Sequence, residues 1–271
     1  MRLYPLFKLA IAQVRRDIET VSYEVDGQRW QSVDVSDKPE MKTREVFNNS
    51  FTVPLENHGM DLERYREDIE PNLPWADNHF LERVGGEPLN PGEEWKRWPW
   101  GNKADTFRDK GGQFSHTYME RYWPQIDMEV GRHRQGIRYC YGDLLDVANH
   151  LVEQPDSRQA FLPVWFPEDT GVVHRERVPC TLGYHFLQRH GYLHMTYYIR
   201  SCDFVRHFRD DLYLSVRLLL WMLDELRSIE KIANPQALAG TYFWPRVKPG
   251  MFVFHCVSMH CFENDFKKIQ S

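Results

Sequence analysis

The chain has 271 residues, 42% of them apolar, enough to bury a substantial core as one domain spanning residues 1–271. Its formal net charge of −5 speaks against a protein built to coat nucleic acid, so any nucleotide it binds is expected free in solution. No apolar run approaches the roughly 20 residues of a membrane span, and charges interrupt the first apolar stretch, so no membrane partner and a cytoplasmic location are expected.

Leu3, Phe7, Ala10, Val14 and Ile18 recur at helical spacing and predict an amphipathic first helix. Residues 21–53 read as extended, interrupted by a polar turn at Ser36–Thr43. Residues 57–110 are rich in Pro, Gly, Trp and charge, with one helical candidate near Ala76–Val84, a composition more typical of a binding loop than of a linker. Asp143–Glu153 reads as a helix closed by turn chemistry at Gln154–Ser157, and Phe161–Phe166 as a strand. Two β-rich runs, 181–188 and 192–199, flank Arg189-His190-Gly191 and predict a hairpin. Leu212 to Ile229 carries apolar residues around most of a helix, and Met251–Val257 reads as a final strand.

The five cysteines are Cys140, Cys180, Cys202, Cys256 and Cys261, an odd number without CxxC spacing, so neither a disulfide framework nor a metal site is expected. With the hairpin turn centred on His190, Cys180 and Arg200 stand opposite one another. A fixed guanidinium beside a thiol favours thiolate, the nucleophilic form. Spacing alone favours the plainer reading, a small buried Cys180 and a surface Arg200.

Further motifs carry a resemblance. Val178-Pro179-Cys180 followed by Ile199-Arg200-Ser201-Cys202-Asp203 resembles the nucleophile strand and Arg-Ser-x-Asp motif of the thymidylate synthase family. Pro155-Asp156-Ser157-Arg158 and Pro249-Gly250 through Ser258-Met259-His260 are similar to two more of its segments, in the same order, over residues 38–266. The resemblance implies an α+β fold, a large mixed β-sheet packed with helices, and a homodimer formed through the sheet. It implies that Cys180 adds to C6 of a pyrimidine nucleotide, so that C5 accepts a carbon from 5,10-methylenetetrahydrofolate, without a metal. Arg200, Ser201 and Lys38 would hold the phosphate, joined by Arg158 from the partner subunit. His260 would contact the nucleotide, Asp203 would face the folate, and Tyr118 would be the active-site tyrosine.

Eleven residues after Arg200 the family's thymidylate synthases carry asparagine, and this chain has Asp211. A carboxylate accepts from the amino group of cytosine but meets uracil O4 lone pair to lone pair, so cytosine is favoured. Phe208-Arg209-Asp210-Asp211 and Cys180-Thr181 are similar to the phage-type deoxycytidylate hydroxymethylases of the family. Asp211 can also share the proton that N3 needs on attack at C6; the plainer reading makes Asp210 or Asp211 a helix N-cap. A hydroxymethyl product requires a positioned water, for which Glu82 is the candidate, while an alternative alignment puts His79 in that place. Phe262 stands where a tyrosine would bond the sugar 3′-hydroxyl, so a CMP hydroxymethylase is a second expectation beside the dCMP enzyme. A C5 methyltransferase acting on dUMP or dCMP, and a non-catalytic nucleotide-binding protein, complete the alternatives.

Overall fold

The computed structural model describes residues 2–27, 29–30, 33–101, 108–123, 143–170, 177–236 and 240–270. Cys140 lies outside these residues, and the other four cysteines are unpaired thiols.

The first helix spans Phe7–Val21 rather than beginning at Leu3. Leu3 is instead 66% exposed in a short strand, β1 (Arg2–Leu3). Phe7, Ala10, Ile11, Val14 and Ile18 form the buried stripe of the helix. The extended region resolves into β2 (Tyr23–Val25), β3 (Arg29–Trp30), β4 (Val33–Asp34) and β5 (Thr43–Pro54). Then come β6 (Phe161–Pro163), shorter than its apolar run, β7 (Thr181–Arg189), β8 (Tyr192–Asp203) and β9 (Lys248–Phe262).

The sheet runs β1-β5-β9-β8-β7-β6, with β2 also on β5. The β8–β9 and β1–β5 pairs are parallel and the others antiparallel, as expected of a mixed sheet. A parallel neighbour requires a long crossover, supplied by the helix Phe208–Ala233 between β8 and β9. That helix buries Leu212, Val216, Leu219, Leu223 and Leu226 completely, each contributing roughly 1.5–3 kcal/mol over exposure. Phe208, Phe51 and Phe254 join it to the sheet, with centroids 5.0 Å apart for Phe51–Phe254 and 5.3 Å for Phe208–Phe254.

The β7–β8 hairpin has a two-residue turn, not one centred on His190, since Arg189 pairs with Tyr192. His190 and Gly191 both take positive φ, 53° and 79°, the geometry that suits a tight hairpin and that Gly191 adopts without a Cβ penalty. Carried straight down the ladder, this register sets Cys180 opposite Ser201. A bulge between Thr181 and Gly183 absorbs one residue, so that Thr181 pairs with Ile199. The Arg200 amide then donates to the Cys180 carbonyl at 2.8 Å. The expected Cys180–Arg200 pairing therefore holds, by a different route from the one the turn alone predicts.

Two further helices pack on Phe208–Ala233. Leu62–Ile69 does not follow from the sequence pattern, whereas Trp75–Val84 matches its candidate to within a residue. The helix predicted over Asp143–Glu153 spans Leu144–Glu153, and the structure caps it with Asp143 and Asp146 in a reciprocal box. No helix among the described residues is long and apolar enough to cross a membrane.

Candidate active site

One cavity of about 550 Å³ opens where the end of β8, the start of β7, the end of β9 and the helices Trp75–Val84 and Phe208–Ala233 converge. Cys180, Arg200, Ser201, Asp203, Asp211, Tyr118 and His260 all line it. These residues are spread over more than 140 positions, and the sheet brings them together.

Arg200 is fixed before any ligand is considered. Its Nε donates to the Pro179 carbonyl at 2.9 Å and its Nη2 to the Val178 carbonyl at 3.1 Å. Nη2 lies 4.0 Å from Cys180 Sγ. Burial pushes the Cys180 thiol above its ordinary range, Arg200 and Arg177 pull it down, and Asp211 and Asp203 push it up again, with burial winning. The guanidinium thus eases ionisation of the thiol without making thiolate the resting form.

Asp211 lies in the first turn of Phe208–Ala233, whose N-cap is His207, so neither Asp210 nor Asp211 is the cap. Asp210 instead accepts from the Asn72 amide and side chain, both at 2.8 Å. That leaves Asp211 facing the cavity, where its Oδ2 accepts from Cys202 Sγ at 3.6 Å. Burial raises its carboxyl to about 7, against an opposing pull from Arg83 and with a further push from Asp210. Such a group can hold or release a proton near neutrality. The imidazoles around it stay neutral, because burial lowers both His79 and His207 to about 4.

Tyr118 opens a short helix held by a Thr117–Glu120 capping box and by the buried, bidentate Arg121–Asp169 pair at 2.8 and 2.9 Å. Its hydroxyl accepts from Thr181 Oγ1 at 3.1 Å. Ser201 Oγ and His260 Nδ1 are 3.3 Å apart on adjacent strands. Asp203 uses one oxygen to accept the amides of Val205 and Arg206 at 3.0 and 3.1 Å, which fixes the turn leading to the helix.

Three expected residues lie elsewhere. Glu82 is not at the cavity: its carboxylate accepts from the Glu94 amide at 3.0 Å and from His79 Nδ1 at 3.3 Å. His79, the alternative, does line the cavity, but its Nε2 accepts from Arg83 Nε at 3.0 Å, so its proton sits on Nδ1 and points to Glu82. The group that this chain of bonds presents to the cavity is Arg83, 6% exposed, with its guanidinium 4.2 Å over the Tyr118 ring. Lys38 is exposed in the turn before Pro39–Met41 and does not line the cavity, although Val35 and Met41 on either side do. Arg158 is exposed beside Asp156 and Arg189, outside the cavity.

Sequence reasoning missed Arg83, Arg177 and a wall of Trp75, Trp95 and Trp98. Trp75, His79 and Arg83 are spaced four apart on one helix, the signal that could have placed them on a common face. Trp75 stacks on His79 at 4.9 Å and Trp98 on His207 at 4.9 Å.

The fold is that of a solved thymidylate synthase, with Cys180 lining the cavity described above. The structure resembles that of the thermostable thymidylate synthase A from Bacillus subtilis, with a TM-score of 0.63 and 14% sequence identity over 97% of this chain and 82% of that one. Proteins described as "Putative thymidylate synthase" in Methanosarcina barkeri and Methanosarcina acetivorans are 28% and 27% identical over alignments of 165 residues, which cover 56% of this chain. The matched stretch spans 65% of the length of each of these relatives. No protein-family model matches the chain.

Proposed function

We propose that this protein transfers a one-carbon unit to C5 of a cytidine monophosphate nucleotide and releases the hydroxymethyl product. The observation that carries the reading is the sharing of one cavity by Cys180, held 4.0 Å from a fixed guanidinium, and the buried acid Asp211. Cys180 adds through sulfur to C6. Asp211 accepts from the cytosine amino group and, with a carboxyl that titrates at about 7, gives or shares the proton that N3 takes up. Arg200 and Ser201 hold the phosphate and His260 the sugar, which their proximity supports.

Methylenetetrahydrofolate fits the aromatic wall. The indole N–H groups of Trp95 and Trp98 are buried without a partner among the described residues, so they suit a flat heterocycle rich in acceptors. Trp95, Trp98, His207 and Asp203 would hold it, and when bound it would supply the carbon that C5 receives in place of its proton and leave as tetrahydrofolate; water would supply the hydroxyl, and the Cys180 sulfur would then leave C6. The hydroxymethyl outcome rests on the likeness of Phe208–Asp211 and Cys180–Thr181 to hydroxymethylases and no longer on Glu82. A homodimer through the sheet is supported by Phe161 and Val257, 39% and 43% exposed on the strands away from the helices, with Arg158 exposed nearby to serve a partner's phosphate site.

Incubation with methylenetetrahydrofolate and, separately, dCMP, CMP and dUMP, followed by mass spectrometry of the nucleotide, tests the reading. A cytidylate product heavier by a hydroxymethyl group is expected. A methyl product on dUMP alone would sink the proposal, and no product with any of them would favour a nucleotide-binding protein.

A further inference from the structure

We infer that the site is built for a ribonucleotide, with Glu45 as the side chain that reads the sugar 2′-hydroxyl. The inference rests on the reading of the cavity as a pyrimidine nucleotide site and assigns it a sugar.

The register across β5, β9 and β8 places Glu45 beside His260, and His260 beside Asp203. One row further along, Ser258 pairs with Ser201, the serine that reaches His260 Nδ1 at 3.3 Å. Glu45 thus stands one strand beyond His260, on the side away from Ser201 and Arg200, and it lines the cavity. With the phosphate at Arg200 and Ser201 and the base against Cys180 and Asp211, the sugar falls at His260 and Glu45.

The chemistry of Glu45 suits hydroxyls. Oε1 accepts from Thr43 Oγ1 at 2.9 Å and Oε2 from Ser258 Oγ at 2.8 Å. An ionised carboxylate offers about four acceptor positions, so two remain. Among the described residues it has these two hydroxyl donors and no cationic partner. A carboxylate so placed repels a phosphate but welcomes neutral O–H donors, and a ribose presents two vicinal ones where a deoxyribose presents one. An acidic side chain does the same work on the ribose of dinucleotides. Phe262, paired with Thr43 in the neighbouring row, has no hydroxyl to offer the sugar, whereas His260 and Glu45, paired with each other, both line the cavity with polar groups.

The test is equilibrium binding of CMP, dCMP, UMP and dUMP to the full chain by titration calorimetry, for the native protein, Glu45→Ala and Glu45→Gln. A hydrogen bond to a charged acceptor corresponds to a preference of about ten- to hundredfold for CMP over dCMP, repeated between UMP and dUMP whatever the base preference. Glu45→Ala brings each pair within about threefold by weakening only the ribonucleotides, and Glu45→Gln, which keeps one acceptor oxygen, falls between. Equal affinity of the native protein for both sugars, or an unchanged ratio in Glu45→Ala, overturns the inference while leaving the base reading intact. Failure to bind any of the four overturns the nucleotide reading along with it. If circular dichroism finds Glu45→Ala unfolded, the native ratio and Glu45→Gln decide.

Discussion

Replacing Asp211 by asparagine should stabilise the protein as it damages the site. The carboxyl is carried from an ordinary 3.8 up to about 7, mainly by burial. In the unfolded chain it ionises near its ordinary value, so between these two points the unfolded state has released a proton that the folded state retains. Stability therefore falls as pH rises through that window, by at most about 4 kcal/mol once the folded carboxyl is also ionised. The asparagine side chain would keep the shape and remove this dependence. Its amide oxygen can still accept from the Cys202 thiol, a weak bond of about 0.5 kcal/mol in either case. The variant should match the native protein below pH about 4 and exceed it increasingly up to about 8, as measured by urea unfolding across that range. A difference that does not change with pH would refute the electrostatic account of this residue. The same variant, offering an amide N–H to uracil O4, should shift selectivity from cytidylate toward uridylate by at least about tenfold in kcat/KM, and an unchanged preference would remove Asp211 as the selector.

Cys180→Ser should lower turnover by at least about a thousandfold without loss of fold, checked by product formation beside circular dichroism, since an alcohol does not replace a thiol as nucleophile here. Arg200→Lys loses the fork that grips two backbone carbonyls, and with it the fixed placement of a cation 4.0 Å from Cys180 Sγ. Its thiol should therefore need a higher pH to react, read as a shift of the iodoacetamide alkylation profile of Cys180 followed by mass spectrometry. Gly183→Ala puts a Cβ 2.5 Å from the Phe161 ring and 2.6 Å from the Leu162 carbonyl, so it should cost about 1–3 kcal/mol in urea unfolding.

Much of this was legible in the sequence because the relevant signals are local. The β-rich runs on either side of Arg189-His190-Gly191 mark the hairpin, and the helix expected over Asp143–Glu153 is reproduced at Leu144–Glu153. The helix Leu62–Ile69 escaped because Leu62, Tyr65 and Ile69 are its only apolar residues among charges, and they become a stripe only once Tyr65 and Ile69 are buried against the first helix. The identity of the group presented near Tyr118 escaped for a different reason. Glu82, His79 and Arg83 are neighbours on one helix, and which of them reaches the cavity depends on hydrogen bonds to Glu94 and to each other. Charge sign at a site is a property of that chain of bonds, which no spacing rule encodes. Leu3 kept helical spacing but lies in a strand, where Arg2 and Leu3 pair with Phe51 and Thr52 and extend the sheet edge.

The surplus residue between Thr181 and Gly183 has a consequence for anyone who would transplant or rebuild this site. A pleated strand has a period of two, so one uncounted residue inverts the side on which everything beyond it emerges. A graft that copied residues 180–203 as an unbroken ladder would carry Cys180, Arg200, Ser201 and Asp203 and still deliver the sulfur to the wrong neighbour, Ser201. What makes the thiol useful is in this sense arithmetic: an odd number inserted into an even pattern.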